Sequence, residues 1–216
     1  MTRDLIIERF RDGGPGHRPP RGPAAERGDH FLNPGYVPKG PLKLAAVLVG
    51  LVDRPHGLHL LLTQRTDHLS HHPGQVSFPG GHIEDDDDGP EGAALRETEE
   101  EIGLDRSHIT LLGRLTDYVT RTGFRVTPVI ALVRPGFTLK PDPFEVAEVF
   151  EVPLSFLLDP ANHQRHSREF EGKERHFYAM PYNGHFIWGA TAGMIRQLYE
   201  YLHDPDPTKA PVGKDA

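Results

Sequence analysis

The chain has 216 residues, no cysteine, and a net charge of −7 from 24 Lys and Arg against 31 Asp and Glu. The lack of Cys excludes disulfides, zinc–thiolate sites, iron–sulfur clusters and thiol nucleophiles, and the acidic balance argues against gripping nucleic acid by general positive charge. No apolar run approaches the ~20 residues that span a bilayer, and Leu5-Ile6-Ile7 falls short of the ~7–15 of a secretory leader, so no membrane partner and a cytoplasmic location are expected.

Residues 3–10 read as a short amphipathic start. From Arg11 to Pro41, seven Gly and seven Pro fall within 31 residues, a composition that resists regular helix and central strand and reads as an extended arm. Residues 1–41 are therefore read as an N-terminal segment and linker, 42–202 as the ordered domain, and the Pro-rich polar stretch 203–216 as a disordered tail. Inside the domain, Leu42–Val52 is a continuous apolar run and suggests a buried strand. Arg54-Pro55-His56-Gly57 reads as a turn and Leu58–Arg65 as the returning strand. Gln75–Phe78 is a short strand ended by Pro79-Gly80-Gly81. Pro90–Ile102 reads as a helix, with Pro90 suited to its first position, Asp88 or Gly89 to its cap and Gly103 to its stop. Strands follow at Ile109–Tyr118 and Phe124–Val133, around an Arg121-Thr122-Gly123 turn, and at Val146–Val152. Pro153–Leu158 reads as a short helix, Ser167–Met180 as a hairpin turning at Glu171-Gly172-Lys173, Phe186–Trp188 as a strand and Ala190–Leu202 as a closing helix. Strands and helices thus mix around one central helix, which favours an α/β or α+β sandwich.

The segment Gly80–Leu104 carries the chemistry. Glu97, Glu100 and Glu101 are spaced i, i+3, i+4, which at ~100° per residue puts them within about one third of a helix surface. Leu95, Thr98 and Ile102 share another face, which can bury. Three like charges so close repel one another. A hard cation, Mg²⁺ or Mn²⁺, offsets that repulsion, and such ions are held by a few carboxylates plus substrate phosphates. The combination stabilises charge on a phosphoryl transition state and makes a water more nucleophilic. For three glutamates alone, a solvated acidic face is the plain alternative.

The surrounding residues decide between these. Arg96-Glu97-Thr98-Glu99-Glu100-Glu101-Ile102-Gly103-Leu104 fits R-E-U-x-E-E-x-G-U, with Thr98 at the apolar U position, and on these residues the chain resembles the Nudix hydrolases. Gly81 and Arg96 stand one residue further apart than the general pattern G-x5-E-x7-R. Counting back from Arg96 puts the upstream acid at Asp88, and counting on from Gly81 puts it at Asp87. Leu61–Gly81 resembles the signature of the coenzyme A pyrophosphatase subgroup, LLTxR[SA]x3Rx3Gx3FPGG. Leu61, Leu62, Thr63, Arg65, Gly74, Phe78, Pro79, Gly80 and Gly81 match, whereas Thr66 stands for Ser or Ala and Ser70 for Arg. Gly123–Val129 and Ile187–Ala192 also look like that subgroup, so the resemblance covers roughly residues 42–202.

The resemblance implies an α/β/α sandwich around a mixed sheet. It implies metal binding by Glu97, Glu100 and Glu101, and an Arg96 that holds a glutamate by a charged hydrogen bond. Gly80 and Gly81 would make a tight turn beside the metal loop, and Arg65, Arg121 and Arg125 are the candidates for substrate phosphate. One of the glutamates, or a carboxylate from elsewhere in the fold, would orient or deprotonate the attacking water. The implied substrate is coenzyme A or an acyl derivative, cleaved to 3′,5′-ADP and 4′-phosphopantetheine or its acyl form without a covalent intermediate. The alternatives are another nucleoside diphosphate derivative, such as ADP-ribose or NADH, or a non-catalytic nucleotide-binding module. The chain would act as a monomer or homodimer. Other signals are weaker. His68, His71 and His72, or His163 and His166, have metal-ligand spacing on a helix, but His71-His72-Pro73-Gly74 is a loop sequence. Asp85–Asp88 lacks the spacing of a calcium loop and reads as a solvated loop near the metal. Phe177, Tyr178, Tyr182, Phe186 and Trp188 either line a pocket or pack ordinarily, and packing is the favoured reading.

Overall fold

The longest apolar run lies at the centre of the molecule. The computed structural model describes residues 2–11, 27–36, 40–69, 72–170 and 172–203. In chain order its elements are α1 (Arg3–Arg11), β1 (Arg27–Gly28), β2 (Lys43–Arg54), β3 (Gly57–Arg65), β4 (Val76–Ser77), β5 (Gly80–His82), α2 (Gly89–Ile102), β6 (Ile109–Arg114), β7 (Tyr118–Val119), β8 (Phe124–Val133), β9 (Val146–Pro153), α3 (Leu154–Leu157), β10 (Gln164–Phe170), β11 (Lys173–Tyr182), β12 (His185–Trp188) and α4 (Gly189–His203). Strand β2 runs parallel to β8, from Lys43 opposite Phe124 to Val52 opposite Val133. It is apolar throughout because both of its faces are covered. Ala46, Leu48 and Val52, with Leu61, Val129, Ala131 and Val133, pack against Ala93, Ala94 and Ile102 of α2. The alternate residues Ala45, Val49, Leu51, Ile130 and Leu132 pack against Met194, Ile195 and Leu198 of α4 and Leu154 and Leu157 of α3. The result is the expected sandwich, a mixed sheet between helical layers. Each fully buried Leu or Ile contributes about 1.5–3 kcal/mol relative to exposure. The antiparallel sheet β10-β11-β12 adds to the α4 side, with Met180 and Ile187 in that core.

The sheet forks beside β2. Toward its end, β2 pairs antiparallel with β3 (Leu51 with Leu60, Arg54 with Gly57). Toward its start the same edge pairs instead with β5, Ala46 with Gly81 and Val47 with Gly80. Meanwhile β3 continues along β9 and, at Thr63 and Gln64, along β4. Strand β5 therefore fills the gap left as β3 diverges from β2.

Three readings need correction. Gly80 and Gly81 form strand β5, not a tight turn. Gly80 has φ +148, and a Cβ there would collide with the Ala46 carbonyl, so glycine is required by close approach to β2. The stretch Ile109–Tyr118 is two strands, β6 and β7, both paired with β8, because the register slips by one residue between Arg114 opposite Val129 and Tyr118 opposite Val126, where the Thr127 hydroxyl donates to Asp117 at 2.8 Å. The described parts of residues 1–41 are packed pieces of the body. A nine-residue helix is marginal in water on its own. Helix α1 is held by Ile6 and Phe10, which are buried in the α4-side core, and by Phe10 stacking on Tyr201 at 4.8 Å. Strand β1 pairs parallel with β7, and Asn33 exchanges two hydrogen bonds with the His176 backbone, at 3.0 and 2.9 Å. Residues 12–26, 37–39 and 204–216 lie outside the described residues, as do Ser70, His71 and Glu171.

Candidate active site

Helix α2 is preceded by its N-cap Asp88, whose side chain makes no capping bond, and has Pro90 in its first turn. It ends at Gly103, whose left-handed φ of 65° lets its N–H donate back to the Glu99 carbonyl. Thr98 fits an apolar position because its hydroxyl donates to the Ala94 carbonyl at 2.6 Å, leaving nothing unpaired inside.

The three glutamates share a helix face but not an environment. Glu101 is only 6% exposed. Its Oε2 accepts from the Gly80 N–H at 3.1 Å, and Arg65 Nη1 stands 3.8 Å from Oε1. Burial pushes its carboxyl up to about 8, against the Gly80 hydrogen bond and the Arg65 charge. Glu97 lies on β5: a Cβ on Gly81 would sit 2.5 Å from its carboxyl carbon. Burial raises Glu97 too, with Arg96 opposing. Glu100 departs from the expected trio. Its side chain is 60% exposed and turned to Arg96, whose Nη1 lies 3.1 Å from both Glu100 Oε2 and Glu97 Oε1.

Of the two candidate upstream acids, Arg96 pairs with Asp87. It donates through Nε and Nη2 to both oxygens of Asp87, at 3.0 and 2.9 Å, and through Nη2 to the His82 carbonyl at 3.0 Å. This charged fork holds the Asp87 carboxyl below the usual carboxylate range. Asp87 Oδ2 in turn accepts from the Glu84 N–H at 2.8 Å, folding the acidic loop back on itself. Arg96 thus ties the loop, β5 and α2 together.

Of the other candidates, Arg65 reaches the glutamates and Arg121 does not. The Arg121 guanidinium stacks 3.7 Å from the Phe170 ring centroid, and its backbone N–H donates to Asp29. Arg125 lies on β8 opposite Leu44 of β2 and Val119 of β7, and by strand alternation shares the α2-facing side with Val129, Ala131 and Val133. Sequence reasoning left one residue unnamed. Glu145, just before β9, adds negative potential at both Glu97 and Glu101. Its loop is bonded to the helix end, Asp142 N–H to the Glu101 carbonyl at 2.9 Å, and its own carbonyl accepts from Thr66 N–H at 3.0 Å. A lone Glu after Pro141 and Pro143 carries no local pattern that could have marked it. Among the described residues the candidate histidines do not converge: His72 bonds to Gln75, His163 to the Leu157 carbonyl, and His166 stacks with Phe177.

Among the described residues, no three acidic or His side chains already form a closed metal cage. The residues nevertheless fit a hard divalent cation. Glu97 and Glu101 supply oxygen donors half-buried and buried at the sheet fork, with the negative charge of Glu145 acting on both and Arg65 and Arg96 paired with them. Such a surplus of negative charge in a low-dielectric setting is costly unless a cation offsets it.

The NUDIX domain family model matches residues 41–171. The chain belongs to the Nudix family and is a pyrophosphohydrolase of that class, whose members generally use divalent metal ions. It is 40% identical over 154 residues to the uncharacterized Nudix hydrolase NudL of Escherichia coli K12, covering 71% of this chain and 80% of that protein. The NudL of Shigella boydii serotype 4 is 41% identical over the same length and coverage. In fold, the chain is similar to RenU, a Nudix hydrolase from M. smegmatis, with a TM-score of 0.52 at 22% identity, covering 74% of this chain and 86% of that one. No helix among the described residues is long and apolar enough to cross a membrane.

Proposed function

We propose that the chain hydrolyses the pyrophosphate bridge of coenzyme A or its acyl derivatives, with Mg²⁺ or Mn²⁺, releasing 3′,5′-ADP and 4′-phosphopantetheine or its acyl form. The observation that carries this reading is the meeting of two motifs at the sheet fork. Arg65 and Gly80, from the segment that resembles the coenzyme A subgroup, both engage Glu101 of the Nudix helix.

In this reading Glu97 and Glu101 hold the cation, and Glu100 joins them through its exposed carboxylate. When bound, the cation neutralises the bridging phosphates and lowers the pKa of water. Arg96 acts through Asp87 and the glutamates, as the clamp that fixes the loop. Gly80 and Gly81 let backbone approach the diphosphate without a side chain between. Arg65 and Arg125 bind phosphate oxygens, and Arg121 braces the turn beside them. Glu145 accepts the proton of the attacking water. The water oxygen bonds to one phosphorus, the bond from that phosphorus to the bridging oxygen breaks, and the bridging oxygen leaves on the other phosphate. No covalent enzyme intermediate forms.

The test is product analysis by mass spectrometry after incubation with coenzyme A, ADP-ribose and NADH, each with and without Mg²⁺ or Mn²⁺. Metal-dependent release of 3′,5′-ADP, faster from coenzyme A than AMP from the other two, is the expected result. Preferential turnover of ADP-ribose or NADH removes the coenzyme A assignment and keeps the pyrophosphohydrolase. Absence of turnover on all three removes this reading altogether.

A further inference from the structure

One aromatic ring stands out against the physics of the rest of the surface. Phe144 is 64% exposed, the largest value among the exposed large hydrophobic side chains described. Its backbone is nonetheless tied down on both sides. The Phe144 N–H donates to Asp142 Oδ1 at 2.9 Å, and its carbonyl accepts from the hydroxyl of buried Thr66 at 2.7 Å. The His68 ring lies 4.8 Å away, tilted by 59°, and forms a second wall. An apolar ring on a loose loop would fold down against its surroundings, whereas this one is held out by fixed backbone.

Its position gives that exposure a use. The 142–145 loop is bonded to the carbonyl of Glu101, and Thr66, which holds the Phe144 carbonyl, directly follows Arg65, whose Nη1 lies 3.8 Å from Glu101 Oε1. The exposed ring therefore springs from backbone that borders the acidic site. Anionic diphosphate and planar base are the two ends of a nucleotide, and every base has a π-face that stacks on an aromatic side chain.

We propose that Phe144, with His68 beside it, is the stacking platform for the nucleobase of a nucleoside diphosphate whose phosphates lie at Glu97 and Glu101. This rests on the reading of that site as the pyrophosphate site, but not on the choice of coenzyme A. The platform favours purines, which offer the larger π-surface.

The test is calorimetric binding of ADP and of inorganic pyrophosphate in the presence of Mg²⁺, for wild type, Phe144→Ala and Phe144→Tyr. Phe144→Ala is expected to weaken ADP about tenfold, or ~1.4 kcal/mol, and to leave pyrophosphate unchanged. Phe144→Tyr, which keeps the ring, is expected to bind ADP as wild type does. Undiminished ADP affinity in Phe144→Ala overturns the proposal. So does failure of wild type to bind ADP, or an equal loss for pyrophosphate, which would make the residue a brace for the loop. Loss of ADP affinity in a protein that does not cleave coenzyme A removes only the substrate assignment.

Discussion

Two carboxylates lie under similar physical pressure and resolve it differently. Asp29, in the N-terminal segment, and Glu101, at the sheet fork, are both raised by burial above their ordinary range. Asp29 is matched oxygen by oxygen: Oδ1 accepts from Tyr118 Oη at 2.9 Å and Oδ2 from the Arg121 N–H at 2.7 Å. Glu101 has one backbone donor on Oε2, while Arg65 stands 3.8 Å from Oε1, beyond hydrogen-bond length. Desolvation alone therefore does not mark a functional carboxylate. What separates the two is coordination capacity left open, together with the negative charge of further acids, Glu145 and Glu97, acting on Glu101.

The sharpest break of this comparison is Glu101→Gln. The amide oxygen can still accept from Gly80, while the carboxylate available to a cation is removed. Turnover is expected to fall on the order of 10²–10³-fold, the scale for losing one preorganised electrostatic group, with a thermal midpoint no lower than wild type. Turnover retained to within a few-fold would mean that Glu101 is another Asp29, a carboxylate built into the fold for packing.

The difference between the two carboxylates also shows what a sequence can display. The glutamates were legible because helical spacing is local, and the motif around them fixes the same helix that the structure holds. The core strands were legible for a similar reason, an apolar run bounded by turn residues. The divergence of Glu100 from Glu97 and Glu101 was not, because it depends on Arg96 being drawn toward Asp87 and His82. The role of Gly80 and Gly81 was hidden by β5 pairing with β2, more than thirty positions back in the chain. The docking of residues 27–36 was hidden for the same reason: Gly and Pro content reports local backbone preference, whereas Asp29 finds its partners near residue 120. Thr66, which stands for Ser or Ala, commits its hydroxyl to the Phe144 carbonyl, a long-range bond that Ser could make and Ala could not.

The adjacent glycines offer a second contrast within the site. A Cβ at Gly80 meets backbone, the Ala46 carbonyl and Val47 Cα, at a φ of +148. Neither can yield, so Gly80→Ala is expected to destabilise the fold by about 1–3 kcal/mol. The atoms nearest a Cβ at Gly81 are the carboxyl end of Glu97, which can swing away. Gly81→Ala is therefore expected to melt near wild type but to lose about 10–100-fold in turnover, as for displaced support of a metal ligand. Chemical denaturation and steady-state rates on the same samples check both. Equal behaviour of the two variants would dissolve the distinction between a glycine for the strand and a glycine for the site.

The smallest effects are expected at Asp29, where the prediction is one of stability. Asp29→Ala strands the buried Tyr118 hydroxyl and the Arg121 N–H, a loss of about 1–3 kcal/mol, with turnover unchanged because Arg121 does not reach the glutamates. Asp29→Asn keeps an acceptor oxygen and removes the titration. Burial is the largest influence on Asp29 and raises it above 3.8. The folded state therefore holds the proton more tightly than the unfolded chain. Its contribution is full below 3.8 and is lost as pH rises through the folded value. Relative to wild type, Asp29→Asn should gain stability as pH is raised across that window in urea titrations. A gain on lowering the pH instead would mean that the two hydrogen bonds outweigh burial, making Asp29 an anchored charge and setting it further from Glu101.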